Sequence, residues 1–325
     1  MRSASVHAGR RSLRRRRGFV VVVFAMMVAV AVILALSSAR ARDHTAKPRR
    51  PASGASSVGG PRVQPSPNRS SGGGGTSSQG AVTARVAHQD LVAALAPVLE
   101  SRTGNLAVGV VDLTTGAGAV YDGTHRFHTA SIVKVDILAT LLLQHQLAGT
   151  QLSGVDEELA ARMIENSDDD AATDLWNDVG GADGIADANV HLGLSHTTPG
   201  QGGYWGLTST TVPDQLTLLS DLVSAHSALT AASRSYELSL MREVEPDQAW
   251  GVTEAATPGT RSAVKNGWLP DPQLWVINSV GVIRHDGQVL LVAVLSDDQP
   301  TEAGGIDQDE AAAVAAVDAI TAARS

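Results

Sequence analysis

The sequence predicts an α/β (α+β) sandwich, a sheet flanked by helices beside an all-helical lobe. Two observations carry this reading. Strand-like runs lie towards both ends of the region 81–325, at 105–113 and 119–122, then at 264–269, 274–283 and 288–295. Helical patterns fill the interval between them, so the first and last parts of the region build one sheet.

The elements follow in order. Residues 89–102 read as an amphipathic helix with Leu91, Ala94, Leu95, Val98 and Leu99 on one side. The strand candidates 105–113 and 119–122 flank the turn Thr114-Thr115-Gly116. A buried helix is expected around Val135, Ile137, Leu138, Leu141, Leu142 and Leu143, with Thr129 as its N-cap. Two helical patterns, Leu159, Met163, Ile164 and then Ala171, Ala172, Leu175, Trp176, leave a short turn at Ser167-Asp168-Asp169. Helices at 212–223, introduced by Thr210-Thr211, and at 233–243 precede the last three strands. An Ala-rich helix at 309–323 closes the chain.

The region before the domain is of another kind. Residues 1–42 carry nine Arg and no acid, and 19–36 is apolar throughout. Eighteen residues at 1.5 Å each reach about 27 Å, near the thickness of a bilayer core. Arg14 to Arg17 precede this run, which predicts a cytoplasmic basic segment at 1–18. Residues 19–36 are then either an uncleaved membrane anchor, which the length favours, or a signal peptide with Ala39-Arg40-Ala41 as its cleavage site. Residues 37–80, rich in Ser, Gly and Pro, read as a disordered linker. The domain itself spans 81–325.

Composition narrows the partners. The domain has 11 basic against 32 acidic side chains, a balance of −21, which disfavours nucleic acid and anionic lipid surfaces. Any membrane contact therefore falls to the N-terminal segment. The chain has no Cys, hence no disulfide framework, thiol nucleophile or lipidated cysteine. His125 and His128 read as loop residues, since a metal site needs three or four ligands. Neither a G-x-S-x-G elbow nor a phosphate-binding glycine loop occurs. No metal and no cofactor are expected, and the domain is read as a monomer.

The chemistry rests on three short motifs. Ser131 and Lys134 stand three apart, one helical turn, so their side chains share a face. A buried lysine among polar groups can lose its proton near neutral pH and take one from a serine. Ser167-Asp168-Asp169 lies in a turn, where an acidic N-cap is the plainer reading. Lys265-Asn266-Gly267 opens an extended stretch, where an ordinary strand end is the plainer reading.

Together and in this order, the motifs resemble the S-x-x-K, S-D-N and K-T-G set of class A β-lactamases and penicillin-binding proteins. The resemblance covers roughly residues 85–325 and includes the order of elements. It implies a β-lactamase/transpeptidase-like antiparallel sheet with the site in the cleft beside the helical lobe. It further implies that Ser131 forms an acyl-enzyme, that Lys134 takes its proton, and that Ser167 relays a proton to the leaving nitrogen. Lys265 would supply positive charge, with Asp169, Asn266, Gly267 and Trp268 binding substrate. The backbone N–H groups of Ser131 and Trp268 would form the oxyanion hole.

The departures matter as much. Asp169 stands where the family has Asn, which removes a donor and raises the pKa of Lys134. Asn266 replaces Thr or Ser but can still donate to a substrate carboxylate. Residues 269–283 contain no Arg, and Arg261 and Arg284 only flank the stretch. The loop 195–210, where the family carries its deacylating Glu, has no Asp or Glu, and Gln201 is a poor base. Tyr204 and Trp205 in that loop read as packing residues before pocket residues, while Trp268 is the better pocket candidate. Three readings follow. One is an exported serine acyl hydrolase that acylates on β-lactams or peptidoglycan-like peptides and deacylates slowly. The others are a true β-lactamase with a relocated base, and a non-catalytic binding module.

Overall fold

The computed structural model describes residues 77–271 and 273–322. The basic segment, the apolar run at 19–36 and the linker up to residue 76 lie outside the described residues. Among the described residues no helix is long and apolar enough to cross a membrane.

Helix α1 (Ser77–Ser101) leads into β1 (Asn105–Asp112), β2 (Gly118–Tyr121) and the short β3 (Phe127–His128). A 3₁₀ turn at Ala130–Ile132 enters α2 (Val133–Ala148), followed by α3 (Gly154–Glu165), α4 (Asp169–Asp178) and α5 (Gly181–Leu192). The short β4 (Ser209–Thr210) precedes α6 (Val212–Val223) and α7 (Ala231–Met241). Strands β5 (Ala263–Asp271), β6 (Leu274–His285) and β7 (Gln288–Gln299) and helix α8 (Glu302–Ala322) complete the domain.

The five long strands form one antiparallel sheet in the order β2-β1-β7-β6-β5. The expected closure of the first strands onto the last is made by β1 and β7, with Gly109 opposite Ala293. Strand β7 is central, and its run Leu290 to Leu295 is buried, as a strand covered on both faces requires. Asp286 and Gly287, both at positive φ (46° and 81°), make the two-residue turn between β6 and β7 that matches strand twist. Helices α1 and α8 cover one face of the sheet, while α6 lies on the other beside the helical lobe. Gly109 on β1 allows this close approach, since an added Cβ would stand 2.5 Å from Val212 of α6.

Four boundaries differ from the sequence reading. Helix α8 starts at Glu302 rather than 309, with Thr301 Oγ1 accepting from Gly304 N (3.1 Å). Gly304 and Gly305 blur the helical pattern there, yet Gly305 is needed bare because a Cβ would lie 2.5 Å from Ile277 on β6. Helix α7 is capped two residues early by Thr230, whose Oγ1 accepts from Ser233 N (3.2 Å). Helix α1 extends back to Ser77, into the stretch read as linker. Thr129 makes no side-chain cap. Its hydroxyl donates instead to Gly206 O (3.5 Å), and Ser131 sits in the 3₁₀ turn ahead of the α-helix.

The helical lobe encloses carboxylates. Asp136 on α2 and Glu237 on α7 are buried at 2% and 0% exposure. Asn189 donates its amide to Asp136 (2.8 Å), while Asp214 accepts from His196 N and Thr197 Oγ1 (2.7 Å each). Neither Glu237 oxygen has a hydrogen-bond partner. Burial pushes the Asp136 carboxyl up to about 7, with the Asn189 bond opposing and the Asp214 charge adding. Burial, with Asp136 beside it, raises Glu237 further. A carboxyl that holds its proton more tightly folded than unfolded loses stability as pH rises between the two values. Stability should therefore fall from about pH 4 to pH 7, with Asp136 alone contributing on the order of 4 kcal/mol. Urea denaturation of wild type and Asp136→Asn across this range is the check. The variant should show the shallower decline, and parallel curves would refute it.

Candidate active site

Three segments meet at one point: the turn entering α2, the α3–α4 turn, and edge strand β5. Each is held by local chemistry. Arg162 O near the end of α3 accepts from Asp168 N (3.2 Å), and Asp168 then caps α4, accepting from Ala171 N (2.9 Å). Its other oxygen is paired with Arg162 (2.6 Å). The plain N-cap reading of the second motif is thus true of Asp168, which leaves Ser167 and Asp169 to face the site. Ser167 adopts φ 54°, a left-handed conformation that costs a non-glycine residue about 1 kcal/mol or more. Ala130, just before Ser131, does the same at φ 46°. Both serines are presented from strained corners.

Lys134 is wholly buried and joins the first two segments. Its Nζ lies 3.0 Å from Ser131 Oγ, 3.1 Å from Ser167 Oγ, 2.8 Å from Ser167 O and 2.7 Å from Asp169 Oδ1. Ser167 O and the Asp169 carboxylate can only accept, so two N–H bonds go to them. The remaining direction on nitrogen faces two hydroxyls, which can donate to a lone pair as readily as accept. The arrangement therefore accommodates a neutral amine as well as an ammonium. Burial lowers the Lys134 pKa, and the charge and hydrogen bond of Asp169 oppose that fall. The Trp205 ring, 4.8 Å from Nζ, also favours the charged form.

Lys265 approaches Ser167 from β5. Its buried Nζ donates to Ser167 Oγ (3.0 Å) and to Asn266 O (3.2 Å). Burial holds its pKa well below the ordinary lysine value, and the nearby Lys134 charge pushes it the same way. Two amines thus flank one hydroxyl, and both cannot carry a proton cheaply.

Gly267 explains the third motif's glycine. An added Cβ would stand 2.7 Å from both Ser131 N and Thr129 O, and 2.8 Å from Ile132 N. The strand lies directly against the turn that carries Ser131. Its neighbour Asn278, opposite Gly267 on β6, donates to His128 O (2.8 Å) and Thr129 O (3.0 Å) and so fixes the same turn. Sequence reading missed Asn278, although an amide amid the apolar run of β6 was a signal.

Asn266 corrects an expectation. Rather than facing a substrate carboxylate, its amide donates to Gln248 O (2.7 Å) and Trp250 O (2.9 Å) and is fully buried. It holds a strap, Glu245 to Trp250, whose far end reaches the α3–α4 turn. There Glu245 N donates to Glu165 O (3.0 Å) and Gln248 Nε2 to Asn166 O (3.1 Å). The strap sets Trp250 against half-buried Trp268, ring centroids 5.9 Å apart. Arg261 is ion-paired with Glu243 and does not reach the site.

The loop 195–210 closes over the first turn. Thr208 O accepts from Thr129 N (2.8 Å), and Trp205 Nε1 donates to Thr173 Oγ1 (3.1 Å) on α4. Trp205, read first as a packing residue, stands against Lys134. Tyr204 is exposed, and the Gln201 amide bonds back to Pro199 O (3.3 Å).

Asn278→Ala would remove two hydrogen bonds from the turn, each worth about 1 kcal/mol, with Thr129 O keeping only Ile132 N at 3.3 Å. Urea denaturation should show a loss of at least about 2 kcal/mol, whereas a loss within error would mean that the turn is fixed by other contacts.

Comparison with known proteins places these features. The model of the Beta-lactamase2 family, described as a beta-lactamase enzyme family, matches residues 143–323. The match takes in Ser167, Asp169 and Lys265 and begins just past Lys134. LppW of Mycobacterium tuberculosis, whose name assigns it provisionally to the lipoproteins, is 28% identical over 196 residues, 58% of this chain and 62% of its own length. The chain thus spans less than two thirds of that relative. Among solved structures, a class A beta-lactamase from Bacteroides cellulosilyticus aligns with TM-score 0.64 and 15% identity over 73% of this chain and 99% of that one. PBP-A aligns with TM-score 0.62 and 18% identity over 73% and 96%, and a variant of it is known as an acyl-enzyme complex with penicillin G. At these identities the likeness speaks for the fold, and the fold is that of class A beta-lactamases and penicillin-binding proteins. With more than half of its length matched by the family model, the chain belongs to the beta-lactamase enzyme family.

Proposed function

We propose that this protein is an extracytoplasmic, membrane-tethered serine acyl hydrolase that forms an acyl-enzyme on Ser131 with β-lactams or peptidoglycan-like peptides. One observation carries the reading: an unbroken chain of short contacts from Ser131 Oγ through Lys134 Nζ and Ser167 Oγ to Lys265 Nζ, at 3.0, 3.1 and 3.0 Å. Neutral Lys134 takes the Ser131 proton as Oγ attacks the acyl carbonyl. The proton passes through Ser167 to the leaving nitrogen, with Lys265 holding the Ser167 oxygen in place. The N–H groups of Ser131 and Trp268 receive the developing oxyanion, and Trp268 and Trp250 wall the acyl side of the cleft. Deacylation is slow, because the 195–210 loop offers no carboxylate to activate water.

The tether is the apolar run at 19–36, with the Ser/Gly/Pro-rich linker holding the domain away from the bilayer. The lipoprotein name of LppW supports an extracytoplasmic, membrane-associated location. This chain has no cysteine to carry a lipid, so the apolar run does the holding.

Intact-protein mass spectra of the full chain with penicillin G test the reading. Wild type should gain the mass of one penicillin, and Ser131→Ala should gain none. The acylation rate should rise with pH along a curve centred below the ordinary lysine value of 10.5, because burial lowers Lys134. No adduct and no drug consumption by wild type would leave the site as a binding module.

A further inference from the structure

The site lacks a carboxylate where the sequence loop would supply one, yet a carboxylate stands in it. Asp169, the first residue of α4, bonds through Oδ1 to Lys134 Nζ (2.7 Å), which is itself 3.0 Å from Ser131 Oγ. Its neighbour Asp168 is otherwise placed, capping the helix and pairing with Arg162. The Asp169 side chain is 66% exposed, against 0% for Lys134, so it reaches the amine from the solvent side of the cleft. The helix N-terminus favours its negative charge. A group that binds the buried amine and also meets water is placed to act on both.

We infer that Asp169 is the general base of deacylation, relocated from the 195–210 loop to the first turn of α4. The inference rests on the acyl-enzyme reading above. As a water oxygen bonds to the acyl carbon, Asp169 takes the water's proton. The carbon–Oγ bond then breaks and its electron pair stays on Ser131 Oγ. Asp169 hands the water's proton to neutral Lys134 across 2.7 Å, and the ammonium so formed gives Oγ a proton across 3.0 Å. The products are a free acid and the resting serine, with no further reactant. The same carboxylate accepts a hydrogen bond from Lys134 Nζ, which lowers the carboxylate's activity as a base, in keeping with slow turnover.

Asp169→Asn keeps the shape and removes the base, and Asp169→Ala removes both. Full-length wild type and variants are mixed with penicillin G, and adduct growth and decay are followed by intact mass. Circular dichroism verifies the fold of each variant. The expected result is an adduct that forms within about tenfold of the wild-type rate but clears about 10²-fold more slowly in both variants. Asp169→Glu should recover part of the clearance, which a merely structural role would not predict. Clearance unchanged in Asp169→Asn overturns the assignment while leaving the acyl-enzyme reading intact. Absence of a Ser131-dependent adduct in wild type overturns both.

Discussion

Everything in the site is arranged around one buried amine. Lys134 sits at zero exposure with four oxygens within 3.1 Å, and water cannot solvate its charge. Burial alone would favour the neutral form strongly, since a desolvated ammonium is expensive. The Asp169 carboxylate and the Trp205 face restore part of that lost stabilisation. The balance between them decides whether the amine takes a proton or keeps one. Lys265 answers to the same balance: burial lowers its pKa, and the Lys134 charge across the shared Ser167 hydroxyl lowers it further.

Such a balance holds only if the segments cannot drift. The turn carrying Ser131 has no capping side chain of its own. It is held from outside, by the bare Cα of Gly267 beneath it, by the Asn278 amide on its carbonyls and by the 206–208 loop above it. The α3–α4 turn is held likewise by the Glu245 to Trp250 strap, which Asn266 ties to β5. The left-handed Ala130 and Ser167 persist because these contacts over-determine them. The middle residue of the third motif therefore serves the scaffold, and its departure from the family's Thr or Ser has a structural cause: a two-hydrogen amide spans two carbonyls where a hydroxyl would satisfy one.

The order of elements and the site's core were legible because they rest on patterns that local chemistry enforces. Apolar runs of strand length marked β6 and β7, and the i, i+3 spacing put Ser131 and Lys134 on one side of a helical turn. What stayed hidden depends on contacts distant in sequence. Asn266 was read toward the cleft because a strand residue's face cannot be assigned before its register is known. The approach of Trp205 to Lys134 joins residues 71 positions apart through the loop's path over α4, which no periodicity encodes. The start of α8 was missed because its glycines serve the packing against Ile277 rather than helix propensity.

The burial that tunes Lys134 does not act on that residue alone. Helix α2 is buried without a break from Val133 to Leu143, so the helix that lowers the lysine also encloses Asp136, two residues on. The same desolvation that favours the uncharged amine favours the uncharged acid at Asp136, and again at Glu237, where the Asp136 charge adds to it. The pH dependences run in opposite senses. Raising the pH populates the neutral lysine that acyl transfer needs, while it forces charge onto Asp136 and weakens the lobe that carries the lysine. The useful pH range of the site is bounded below by its amine and above by its own scaffold, and one buried helix sets both limits.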